Sequence, residues 1–184
     1  MQTFMPYSNY NECAQALDNK RLGKQRVETW QIYNVLKKLI VPQQYKVCCT
    51  CFRVVANSLN CERHPETKYT RFVRTEKFRI GWLNHPIVKM WRGYETSLLC
   101  YGLAMCLEWK RRGFKDSLYE KFYNELVFLC HSNSMLQPPW TFDEELQESH
   151  RSNLIRKDAE FYRPKFERTR ENLAYKWVIN TIKE

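Results

Sequence analysis

Arg21, Lys24 and Glu28 fall within about 60° of one another on a helix of 3.6 residues per turn. Ile32, Val35 and Leu39 continue the same stripe. An amphipathic helix ordinarily keeps that face apolar along its length. Here, in Asp18-Asn19-Lys20-Arg21-Leu22-Gly23-Lys24-Gln25-Arg26-Val27-Glu28, its N-terminal end carries cations and one carboxylate instead. Such a helix runs out of a core into the floor of a charged cleft, where cations hold an anion and a carboxylate shuttles protons. The competing reading is a solvated helix end with a stray ion pair.

Three further groups carry chemistry-bearing residues. Cys48-x-x-Cys51 followed by Cys61-x-x-His64 has the spacing of a structural Cys3His zinc site. Cys49 blurs the first pair, and the alternative is that these cysteines are small hydrophobes in a strand. Trp82-x-Asn84-His85-Pro86 leads into Trp91-Arg92-Gly93-Tyr94-Glu95. His85 stands just ahead of a helix start, where it either faces a phosphate or serves as a cap. Arg92 and Glu95 are spaced for an exposed pair worth about 0.2–0.5 kcal/mol. The third group, His150-Arg151-Ser152-Asn153-Leu154-Ile155-Arg156-Lys157-Asp158, gathers cations and an Asn on one short element. It reads as a strand-positioning surface or as an ordinary solvated charge run. The absence of a Gly-rich phosphate loop, a His-Glu-x-x-His helix and a nucleophile elbow argues against nucleotide hydrolysis, zinc proteolysis and serine esterase chemistry.

The elements that position these residues are helical. Asn11–Leu17 reads as a short helix with Ser8, Asn9 or Asn11 as its cap. Asp18 caps the next helix, which Pro42 ends. His85–Arg112 reads as one long, buried helix with Gly113 at its C-terminus. Asp116–Cys130 and, in part, Asp143–Lys157 follow, and Glu167–Lys183 reads as a last helix. Gln43–Arg79 differs, being Cys-rich and β-branched, and is expected to be an insertion containing short strands. The expected fold is mainly α: one compact helical bundle spanning residues 1–184, with the insertion at about 43–79.

The 184 residues carry 30 Lys+Arg against 20 Asp+Glu, a formal charge of +10, interleaved with 6 Trp, 11 Tyr and 10 Phe. Positive charge releases counterions from a phosphate backbone and aromatic faces stack on bases, so nucleic acid is the expected partner ahead of a membrane surface or an acidic protein. No run reaches the 18 or so apolar residues of a membrane span. The N-terminus lacks the basic and apolar regions of a signal peptide. An intracellular, reducing compartment is therefore expected, with the eight cysteines as thiols or metal ligands.

Together these blocks resemble the pyrimidine-dimer DNA glycosylase family, the endonuclease V type of repair enzyme. Arg21-Leu22-Gly23-Lys24-Gln25-Arg26-Val27-Glu28 is similar to the family's basic first helix and places Glu28 at its catalytic position. His85 to Arg112-Gly113-Phe114 resembles the family's central helix. Asn84-His85-Pro86, Met90-Trp91-Arg92-Gly93 and His150-Arg151-Ser152-Asn153-Leu154 look most like a compact branch of it. Tyr175-Lys176-Trp177 is similar to the family's aromatic-basic C-terminus. The resemblance covers about 1–41, 81–115 and 138–166, and leaves out 43–79.

What the resemblance implies is a glycosylase with abasic-site lyase activity, acting on damaged or modified pyrimidines, pyrimidine dimers first. An extruded nucleotide is attacked at C1′ by an amine, the base leaves, and β-elimination from the Schiff base nicks the strand. An α-amine, with a pKa of about 7.7–8.0, suits this better than a lysine at about 10.4. Glu28 would stabilise the cationic sugar or imine. The family exposes a threonine after loss of the initiator Met, whereas this chain begins Met1-Gln2-Thr3. The expected nucleophile is the Met1 amine, with Gln2 or Thr3 after trimming, or Lys20 or Lys24, as alternatives. Lys20, Arg21, Lys24, Gln25, Arg26, His85, Arg92, His150, Arg151, Asn153 and Lys157 are the expected DNA contacts. Catalysis needs no cofactor; a structural zinc on Cys48, Cys51, Cys61 and His64 is the one metal suggested. The partner is double-stranded, damaged DNA, bound by a monomer. The alternative function is a non-catalytic nucleic-acid-binding or DNA-packaging protein that keeps the scaffold.

Overall fold

The computed structural model describes residues 1–40, 44–48, 54–55, 69–73, 82–130 and 136–178. They fall into two units, one of Met1–Leu36 with Gly81–Glu184 and one of Lys37–Ile80.

The first unit is helical. Helix α1 (Tyr10–Ala16) is capped by Asn9, whose Oδ1 accepts from the Asn11 and Glu12 amides at 2.8 and 3.3 Å. Arg112 closes its other end by donating to the carbonyls of Ala14, Gln15 and Leu17, groups that a helix C-terminus leaves unpaired. Helix α2 (Asn19–Ile40) starts at Asp18, whose carboxylate accepts from the Arg21 amide at 3.0 Å. Ile32 and Val35 on α2 are buried, so the stripe read from the sequence packs as far as Val35.

Spacing predicts one helix over 85–112, but the chain forms two there, α3 (Pro86–Trp91) and α4 (Glu95–Arg111). Gly93 makes the break: its φ of 84° is open to glycine and costly for other residues. Glu95 secures it by accepting from the Gly93 amide at 2.9 Å, so the Glu95 carboxylate is turned inward rather than toward Arg92.

Helix α4 buries Leu98, Leu99, Tyr101, Met105 and Cys106 and packs against α1 and α5 (Tyr119–Cys130). Asp116 initiates α5, its Oδ1 accepting from the Leu118 amide at 2.7 Å. The α4–α5 approach is set by Gly102, where an added Cβ would lie 2.4 Å from the Phe122 ring. Gly102→Ala is expected to lower stability by about 1–3 kcal/mol despite alanine's better helix propensity, because the ring is held in packed surroundings. Urea unfolding checks this, and an unchanged midpoint would show that Phe122 moves aside freely.

A 3-10 turn (Pro139–Phe142) leads to α6 (Glu144–Lys157), capped by Asp143, and to the short α7 (Ala159–Tyr162). Although α6 is polar in sequence, it buries Gln147, Ser149, His150, Ser152 and Asn153. The chain after residue 166 explains part of this. The expected helix over 167–183 is absent from the described residues to 178, and that stretch is non-helical. Its amides bond to α6 side chains instead of to their own i−4 carbonyls: Leu173 N–H to Ser152 Oγ at 3.0 Å and Lys176 N–H to Ser149 Oγ at 3.2 Å. Asn153 Nδ2 donates to Leu173 O at 3.0 Å.

The second unit contains a three-stranded antiparallel sheet in the order β2-β1-β3, from β1 (Gln44–Cys48), β2 (Val54–Val55) and β3 (Tyr69–Val73). Tyr45 pairs with Phe72, and Lys46 with Arg71 and Val55. These are the short strands expected in the Cys-rich segment, favoured by its Val, Tyr and Thr content.

Candidate active site

The first five residues form no helix or strand, yet Thr3, Phe4 and Met5 are buried. Buried polar groups need partners, and here side chains from α2, α4 and α6 supply them to the backbone while α3 supplies one to the Thr3 hydroxyl. Gln25 on α2 donates from Nε2 to Gln2 O at 2.9 Å and accepts the Phe4 amide on Oε1 at 3.0 Å. The Tyr101 hydroxyl of α4 reaches Phe4 O at 2.9 Å. Trp91 of α3 donates its indole N–H to Thr3 Oγ1 at 3.0 Å. His150 of α6 accepts the Met5 amide on Nδ1 at 2.8 Å.

Glu28 completes the cradle. Its Oε2 accepts from the Gln2 amide at 2.9 Å, while Lys24 Nζ stands 3.6 Å from Oε1. The carboxylate is thus fixed against the first peptide bond of the chain, and its ammonium neighbour is 71% exposed. Arg21, though on the same stripe, pairs elsewhere, with Asp18, Asp158 and the Lys157 carbonyl.

Burial holds His150 neutral, its pKa pushed down to about 3. Because Nδ1 accepts from Met5, the one ring proton of the neutral form sits on Nε2. Nε2 lies against the Gln2 carboxamide at 3.2 Å. That proton is matched when the Gln2 amide presents its oxygen, which otherwise has no hydrogen-bond partner. His150 therefore staples the N-terminal segment at residues 2 and 5.

His85 caps α3, its Nδ1 accepting from the Ile87 amide at 3.2 Å. Its pKa is lowered, first by desolvation and then by the chain's α-ammonium, while Glu28 pulls in the other direction. The imidazole therefore lies within electrostatic reach of both groups. A wall of rings adjoins it: Trp82 at 5.5 Å, Trp177 at 6.1 Å, then Tyr175, which also packs on His150 at 5.7 Å.

The structure brings Met1, Gln2, Glu28, Lys24, His85 and His150 into one region. It withdraws several expected DNA contacts from solvent. Gln25 and His150 are buried within the cradle just described. Arg26 is buried against Asp116 and stacks on Trp109 at 4.7 Å. Asn153 is buried and donates to the Ser149 and Leu173 carbonyls. Arg151 is half-buried, donating to Pro6 O at 2.8 Å and pairing with Glu144. Lys20, Lys24, Arg92 and Lys157 stay exposed.

Tyr101 is a site residue that sequence reasoning missed, and the roles of Gln2, Thr3 and Trp91 in seating the N-terminal segment were not read from the sequence either. Their partners lie up to 148 positions away, so no local pattern marks them. Of the zinc set, Cys48 falls in β1 and Cys51, Cys61 and His64 lie outside the described residues. Among the described residues no group of three His, Cys, Asp or Glu could hold a metal, and no helix is long and apolar enough to cross a membrane.

The fold and site define a mainly helical protein that fixes its own N-terminal segment against a carboxylate on its longest helix. The family model for pyrimidine dimer DNA glycosylase matches residues 1–119, and the chain belongs to that family of DNA repair glycosylases. The matched stretch includes Glu28 and His85 and ends before His150, Tyr175 and Trp177. Searches of curated proteins and of solved structures return no match.

Proposed function

We propose that this chain is a DNA glycosylase with abasic-site lyase activity on damaged or modified pyrimidines, pyrimidine dimers first, in double-stranded DNA. Its nucleophile is the α-amine at the head of the chain. The observation that carries this reading is the Gln2 amide held 2.9 Å from Glu28, which fixes the segment bearing that amine beside a carboxylate.

The deprotonated amine attacks C1′ of an extruded nucleotide, and the bond from C1′ to the base breaks with its electron pair leaving on the base. The ammonium nitrogen so formed gives up a proton, which the departing base takes, and the C1′–O4′ bond then breaks as O4′ takes a proton, leaving the protonated imine. Removal of a C2′ proton then expels the 3′ phosphate, which nicks the strand. Glu28 accepts and returns protons in these steps and balances the cationic sugar and imine. Lys24, Lys20, Arg92 and Lys157 hold flanking phosphates. In this reading the protein acts as a monomer inside the cell, and residues 43–79 are an insertion in a single glycosylase-like domain.

Borohydride reduction in the presence of a duplex with one abasic site, then one thymine dimer, tests the proposal. A covalent adduct on both is the expected result, with peptide mapping placing it on the N-terminal peptide. An adduct on a lysine would replace the nucleophile. Salt-steep binding without any adduct would favour a non-catalytic DNA-binding protein on this scaffold.

A further inference from the structure

Trp82 combines two features that packing does not account for. It is 62% exposed, and its backbone sits at φ 71°, a left-handed conformation that is an outlier for a bulky residue. The turn that holds it there is closed by the His85 amide donating to Trp82 O at 2.9 Å. Strained backbone persists only where its surroundings enforce it, and it clusters at ligand sites. Here the strain delivers the indole to solvent beside His85, with Trp177 on that imidazole's other contact. His85 in turn lies within the field of both the α-ammonium and Glu28.

We propose that Trp82 is a stacking platform for an unpaired nucleobase of the DNA, taking up a base exposed next to the site of sugar chemistry. The inference rests on the proposed function for its substrate and on the geometry of Trp82 for its location. An exposed indole offers a π-face that any base can cover, so the platform discriminates unpaired from paired bases rather than one base from another.

The test uses a duplex carrying an uncleavable tetrahydrofuran abasic analogue opposite 2-aminopurine, and an intact duplex of the same length. Wild type and Trp82→Phe are expected to quench the 2-aminopurine on binding. Trp82→Gly, which accepts the positive φ and so retains the fold, is expected to lose the quenching and to bind the abasic duplex about 5- to 100-fold more weakly. Its affinity for the intact duplex should stay unchanged. Equal losses on both duplexes, or unaltered quenching, would overturn the assignment. Because the analogue cannot be cleaved, a protein that shows this pattern but no borohydride adduct would keep the stacking site and lose the lyase reading. Failure of the wild type to bind either duplex would overturn both.

Discussion

Glu28→Gln is expected to lower strand nicking and borohydride trapping on an abasic duplex by about 100- to 10,000-fold, the range over which a positioned acid-base group contributes. The substitution is nearly isosteric and keeps an oxygen that can accept the Gln2 amide now 2.9 Å from Oε2. The N-terminal segment therefore stays in place while the charge and the exchangeable proton site are lost. DNA affinity should be unchanged or slightly tighter, because a negative charge is removed from a protein of net charge +10. Loss of the Lys24 pairing matters little, since that lysine is mostly exposed. Single-turnover nicking alongside fluorescence anisotropy separates the two quantities. Nicking equal to wild type would remove Glu28 from the mechanism; a parallel fall in binding would assign it to anchoring alone.

His150 carries the second large effect, on stability. His150→Ala would leave the buried Met5 amide without its 2.8 Å acceptor and open a cavity beside Phe4 and Tyr175. Together these should cost roughly 2–5 kcal/mol. His150→Asn, which can present an oxygen near the Nδ1 position, should recover part of that loss. The pH dependence follows from the same burial. The folded-state pKa, about 3, is below the ordinary 6.5, so the proton binds preferentially to the unfolded chain. The contribution of His150 is then fully present above pH 6.5 and lost as pH falls from there toward 3, at roughly 1 kcal/mol per unit of pH. Asp18, Glu108 and Asp143, held low by hydrogen bonds and cationic partners, lose their contributions at lower pH in wild type and variant alike. Denaturant unfolding of wild type and His150→Asn between pH 7 and 4 isolates the histidine. Parallel curves would show that the ring is not held neutral in the fold.

Several features of the site are legible in the sequence because their signals are local. The stripe that carries Glu28 follows from helical spacing, and its lower part does pack, through Ile32 and Val35. Asn9, Asp18 and Gly113 mark helix ends where the sequence places them, since capping is a contact between near neighbours. The long run 85–112 misleads because apolar content persists across Gly93 while the backbone turns there, and periodicity does not register a positive φ. The tail misleads for a related reason: its spacing suits a helix, but α6 offers Ser149, Ser152 and Asn153 as competing hydrogen-bond partners.

By itself the sequence determined a mainly helical, basic, aromatic-rich chain, the helix that carries Glu28, and a family resemblance that the family model bears out over residues 1–119. The tertiary structure decided which polar residues face inward. Gln25, Arg26, His150 and Asn153 have the composition of a DNA-contacting surface, yet each is buried, where backbone groups or a carboxylate meet it. A charged or amide side chain is equally able to serve a phosphate or an unpaired backbone amide. Which one it serves depends on what packing brings within about 3 Å, across separations of up to 148 residues that no local spacing encodes.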